Sequence, residues 1–172
     1  MPALTGPALV SALLLAVAGA IKAVDPAMTS GALRALRLPS SPTLVRAGAG
    51  AELVLGVVAT TTGAPAAWWL VAVSYLAFAA FVVAALRAGT MVASCGCLGR
   101  EDTPPHPVHV VLDIALAAFA AAAAVGEIAP LDAVAHTPGQ GSVVVGLSVL
   151  AVVLVHAAFV DLPRALGRPR RS

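Results

Sequence analysis

Charge is what this chain has least of. Of 172 residues, 18 are Lys, Arg, Asp or Glu, 10% of the total, while 60% are hydrophobic. A soluble domain carries about 25% charged residues, so this chain cannot dress the surface of a water-soluble globule. The shortage also excludes a disordered chain and a nucleic-acid binder, which would need a dense basic face. Cysteine is as scarce, with two in the whole chain. No Walker loop, GxSxG, HExxH or dinucleotide fingerprint is present, which removes several common enzyme classes. What remains is an integral membrane protein in a lipid bilayer, in keeping with a mean hydropathy of +0.97.

Five apolar runs support that class: residues 7–24, 44–62, 65–86, 107–125 and 142–160. Each is near the ~20 residues that cross ~30 Å of hydrocarbon. In lipid only helices and closed barrels satisfy their backbone polar groups, and these runs are not alternating ten-mers. The expected fold is all-α, a polytopic transmembrane helical bundle with four core helices and a fifth C-terminal span, in one transmembrane domain over 1–172. Most prolines lie at or between span ends, where proline belongs. Residues 28–38 are too short to span and read as an amphipathic turn at the interface, with Leu33, Leu36 and Leu38 beside Arg34 and Arg37. Trp68, Trp69 and Tyr75 fit an interfacial aromatic belt and the upper part of a span. The alanines 120–124 after Phe119 suit close helix packing.

Positive charge is absent from one side altogether. With five spans the loops alternate, and all ten cations then fall together: Lys22, Arg34, Arg37 and Arg46 around the first connection, Arg87 and Arg100 around the third, and Arg164, Arg168, Arg170 and Arg171 in the tail. The other side holds Glu127, Asp132 and His136. The positive-inside rule then puts the N-terminus outside and the C-terminus in the cytoplasm, in a bacterial-type inner membrane. Ala18-Gly19-Ala20 resembles a signal cleavage site, but no Lys or Arg precedes it, so the first run reads as a retained span.

The two cysteines stand almost together, in Ser94-Cys95-Gly96-Cys97-Leu98-Gly99 after the third run. A Cys-x-Cys disulfide closes a very small, strained ring and is easily reduced. Gly96 and Gly99 allow the backbone such a ring needs, and Arg87 or Arg100 favours a thiolate. The pair therefore reads as a redox-active dithiol at the membrane edge. Two other readings stay open. The cysteines could be inert small side chains, or they could join His106 and His109 in a C-x-C-x8-H-x2-H set for zinc or copper. A non-enzymatic scaffold for a redox partner is likewise compatible.

Two acids sit where lipid should exclude them. Glu52 lies roughly 12 Å and Asp113 roughly 9 Å into their spans. Both must face the bundle interior. Lys22 and Arg46 are the expected partners of Glu52, and Arg87 that of Asp113. Such pairs can fix helix packing or hold protons for thiol exchange. His156 in the last run could bind a quinone or haem, but a lone helical His is more often a packing residue. A quinone is admitted, though no residue pattern demands it.

Gly19-Ala20-Ile21-Lys22, Asp25-Pro26, Glu52-Leu53 with Gly56, Arg87-Ala88-Gly89 and Cys95-Gly96-Cys97-Leu98-Gly99 together resemble the methylamine-utilisation MauE family within the DoxX-like membrane proteins, over roughly residues 7–125. The resemblance implies a helical bundle that assists redox maturation of exported proteins. In methylamine utilisation such a protein serves the disulfide-rich small subunit of methylamine dehydrogenase, alongside a thioredoxin-like partner. It carries a redox role onto Cys95 and Cys97, with Lys22 and Glu52 at family positions. Exported clients favour cysteines outside, whereas the charge split puts them at the cytoplasmic edge. The charge split is direct evidence from this chain and sets the expected side.

Overall fold

The computed structural model describes residues 3–88 and 105–166. Among them every regular element is a helix: α1 (Thr5–Val24), α2 (Ala27–Ala35), α3 (Pro42–Thr62), α4 (Pro65–Ala88), α5 (Pro107–Val125), α6 (Pro130–His136) and α7 (Pro138–Leu166). Five of these, α1, α3, α4, α5 and the stretch Pro138–Phe159 of α7, are long and apolar enough to cross a membrane. The protein is thus a multi-pass membrane protein built as an all-helical bundle.

Local chemistry sets the helix ends. Pro42 opens α3 with its fixed φ, and the Ser41 hydroxyl accepts the Leu44 N–H at 3.2 Å. Gly63 ends α3 at φ +64, and a Cβ there would run into Ala129, so only glycine serves this turn. The Asp25 carboxylate accepts the Ala27 N–H at 3.2 Å at the turn between α1 and α2.

Helix α1 is the centre, with 56% of its apolar window buried, against 11% for α7 at the periphery. Small residues bring α1 against α3. A Cβ on Gly19 would strike the Ala49 carbonyl and the Leu53 N–H, and one on Gly56 would strike the Ala12 carbonyl. Backbones therefore touch, the mode by which helices associate in lipid. Helix α4 packs against α5, where Ala117, Ala120, Ala123 and Ala124 are buried.

The bundle has two unlike ends. At the lysine end α1 and α4 finish, α3 and α5 begin, and α2 lies across. At the tryptophan end α1 and α4 begin, α3 and α5 finish, and α6 lies across.

Three expectations need correction. Trp68 and Tyr75 are not belt residues: they are 0% and 3% exposed, in the core, and only Trp69 faces outward. Each buried ring sends its polar tip to a carbonyl, Trp68 Nε1 to Ile128 at 3.0 Å and Tyr75 Oη to Ser11 at 2.7 Å. The connection 126–141, read from hydropathy as a loop between the fourth and fifth runs, holds α6 and the first turn of α7. Gly141 is the reason α6 can lie so close, because a Cβ there would meet the Val134 carbonyl. In α2 the inward face is Ser30 and Ala32, with Ala32 packed near Ala85, Leu36 and Phe81, while Leu38 is exposed.

Candidate functional site

The lysine end gathers the ionisable groups. Lys22, in the last turn of α1, is 3% exposed, and its ammonium pairs with Glu52 of α3 at 2.5 Å. Gly19, one turn before Lys22, is what lets α3 come near enough. The same ammonium stands 4.4 Å from the centre of the Phe78 ring of α4, a second source of stabilisation for a cation held out of water. Lys22, Glu52 and Phe78, with Phe81, Val45 and Leu33, line a cavity of about 200 Å³ under α2.

Phe78 also closes off a smaller space. On its other side lie Tyr75, Leu14, Ala18, Phe159 and the carboxyl of Asp113, around a void of only about 10 Å³. Asp113 is 1% exposed. Tyr75 and Phe78 meet edge to face, 6.0 Å between centroids. The Lys22–Glu52 pair and the Asp113 carboxyl therefore flank one aromatic side chain inside the bundle. Sequence reading found Lys22, Glu52 and Asp113 but missed Phe78, because one Phe in an apolar run carries no mark of its partner.

The expected partners are only half right. Lys22 takes Glu52, but Arg46 does not: its Nε donates to the Ala23 carbonyl at 3.3 Å, closing the end of α1. Nor is Arg87 brought to Asp113. It stays exposed at the end of α4, while Asp113 faces the closed interior one and a half turns into α5. Position decides this, since an arginine in the last turn of a span reaches water more easily than it turns back into lipid.

His109 is fully buried, one turn above Asp113. Its Nδ1 accepts the His106 N–H at 3.3 Å, so Nε2 carries the proton and donates to the Phe159 carbonyl at 2.9 Å. The ring also stacks on Phe159, 5.6 Å between centroids and 7° from parallel. His106 spends its Nδ1 on the Val108 N–H. With both nitrogens of His109 engaged by backbone, this residue brings no lone pair to a C-x-C-x8-H-x2-H metal set. It ties α7 to α5 instead. His156, half-buried in α7, has no histidine partner within its span.

Cys95 and Cys97 lie outside the described residues, as do Arg100 and the tail arginines Arg168, Arg170 and Arg171. The chain leaves α4 at Ala88 and is described again from Pro105. Both points stand at the lysine end, and so do Lys22, Arg34, Arg37, Arg46, Arg87 and Arg164.

A five-helix apolar bundle holding a buried ion pair and a second carboxyl near one end is a polytopic membrane protein with an ionisable interior. Residues 2–126 match the family of methylamine utilisation protein MauE, and the chain belongs to that family of membrane proteins linked to methylamine utilisation. The match ends one residue after α5, leaving α6 and α7 beyond it. A search of curated proteins and one of solved structures give no match.

Proposed function

We propose that the chain is a membrane thiol–disulfide redox protein assisting disulfide formation in a partner protein, with Cys95 and Cys97 as the reacting pair. The observation that carries this reading is that the family match runs through the whole Cys95-Gly96-Cys97 motif, the only cysteines in the chain.

The reaction is two successive exchanges. One thiolate of the pair attacks the disulfide of a thioredoxin-like partner, forming a mixed disulfide and expelling a partner thiolate. The second cysteine attacks its neighbour's sulfur in the mixed disulfide, which leaves a Cys95–Cys97 disulfide and a reduced partner. A client dithiol then attacks that disulfide in the same two steps. The client becomes a disulfide, and the pair returns to two thiols. Two electrons and two protons pass from client to partner in each cycle.

Each exchange needs a proton acceptor and a donor. Glu52 and Asp113 are buried or half-buried carboxyls toward the lysine end of the bundle, and Lys22 holds Glu52 in place. Arg87, eight residues before Cys95, lends positive charge to a thiolate. The cations gathered at the lysine end orient it toward the cytoplasm and put the N-terminus outside, in a bacterial inner membrane.

Replacing both cysteines by serine tests the reading in cells that make the client. The yield of oxidised client should fall to the level seen without the chain, with the protein still present in membranes. Undiminished yield would overturn the proposal. An impermeant thiol reagent checks orientation in the same cells: Cys95 should stay unlabelled until the membrane is opened.

A further inference from the structure

The tryptophan end carries a second, different feature. A groove of about 570 Å³ runs between α1, α5 and α7, walled by apolar side chains such as Val10, Leu116, Phe119 and Leu147. Two hydroxyls interrupt the apolar wall. Thr5 and Ser148 line the groove, are 1% and 2% exposed, and their hydroxyl oxygens have no hydrogen-bond partner among the described residues. They lie close to one another in the fold: Thr5 adjoins Gly6, and a Cβ on Gly6 would sit 3.9 Å from the Ser148 oxygen. Buried hydroxyls without partners are costly and rare.

Depth and charge narrow what can satisfy them. Thr5 is the first residue of α1, whose 20 residues span ~30 Å, the thickness of the hydrocarbon layer. Its hydroxyl is thus level with the boundary between acyl chains and headgroups, where glycerol ester carbonyls lie. No Lys or Arg occurs among residues 101–163 or before Lys22, and Glu127 and Asp132 lie at this end. A phosphate would find no lysine or arginine here. A neutral acceptor would find two donors.

We infer that this groove seats one acyl chain of a glycerolipid, with the ester carbonyl accepting from the Thr5 and Ser148 hydroxyls, independently of the headgroup. The lipid fills the gap between the central helix and α7, the least buried of the spans. The site is separate from the proposed cysteine chemistry and stands or falls without it.

Native mass spectrometry of the full chain in detergent tests the inference. The probes are dipalmitoyl phosphatidylcholine, its dihexadecyl ether analogue, which lacks the carbonyls, and dipalmitoyl phosphatidylglycerol. The unaltered protein should retain the ester about thirtyfold better than the ether, the weight of two net hydrogen bonds, and should not prefer the anionic lipid. Thr5→Val with Ser148→Ala should bring ester retention down to the ether level. Gly6→Leu, at a position where the backbone leaves room for a side chain, should block both. Equal retention of ester and ether by the unaltered protein would overturn the inference. So would a preference for phosphatidylglycerol, unchanged retention in Gly6→Leu, or a co-purified adduct with the mass of a quinone.

Discussion

The two ends of this bundle solve the same problem differently. At the tryptophan end, elements are joined by neutral groups. The Trp68 indole reaches the Ile128 carbonyl, and Gly63 is pressed against Ala129. At the lysine end, the chain buries an ion pair, a second carboxyl and an imidazole within a few helical turns. Neutral contacts would have held that end together as well. Replacing a buried ion pair by apolar residues is often neutral or stabilising, so the lysine end carries charge that packing alone does not require. The difference sets the lysine end apart, and the proposed thiol chemistry builds on it.

The sharpest way to break this comparison is to unpair the charge. Lys22→Met leaves Glu52 without its cation and should cost about 3–5 kcal/mol in detergent denaturation. Adding Glu52→Gln should restore most of that stability while client oxidation stays impaired. If the double variant oxidises the client normally, the pair serves packing only, and the two ends differ less than proposed. Helix approach comes next. Gly56→Leu should destabilise by at least about 1–3 kcal/mol, because the side chain meets the α1 backbone. Gly146→Leu on α7, with nothing within 4 Å of its Cβ, should change little by the same measurement. The smallest effects compare one contact from each end. Phe78→Leu, which removes the ring beneath Lys22, and Trp68→Phe, which removes the indole donor, should each cost about 1 kcal/mol. Only the first should slow thiol exchange.

Much of the fold was legible because lipid leaves few options. Helix-length apolar runs, prolines at their ends and small residues between them require a helical bundle. Glu52 and Asp113 were legible as interior groups for the same reason, since a carboxylate has nowhere else to go. Partners were harder. Lys22 and Arg46 both stand within reach of Glu52 on paper, and only the fold shows that Arg46 caps α1 instead. Trp68 looks like a belt residue because aromatic rings at span ends usually are, and Tyr75 in mid-span gives no sign of where its hydroxyl goes. Their carbonyl partners, 60 and 64 residues away, leave no local trace. Residues 130–136 are too short to stand out, and their helix exists through its packing on α7, α3 and α1.

The most direct test of the central claim reads the redox state of Cys95 and Cys97 in native membranes by a mass-shifting thiol tag. The pair should cycle, appearing as dithiol under reducing growth and as an intramolecular disulfide when the thioredoxin-like partner is oxidised. The single Cys→Ser variant that keeps the attacking cysteine and lacks the resolving one should accumulate a mixed disulfide with that partner. Two thiols that stay fully reduced under oxidising stress, with no mixed disulfide in either variant, would contradict the proposed redox function.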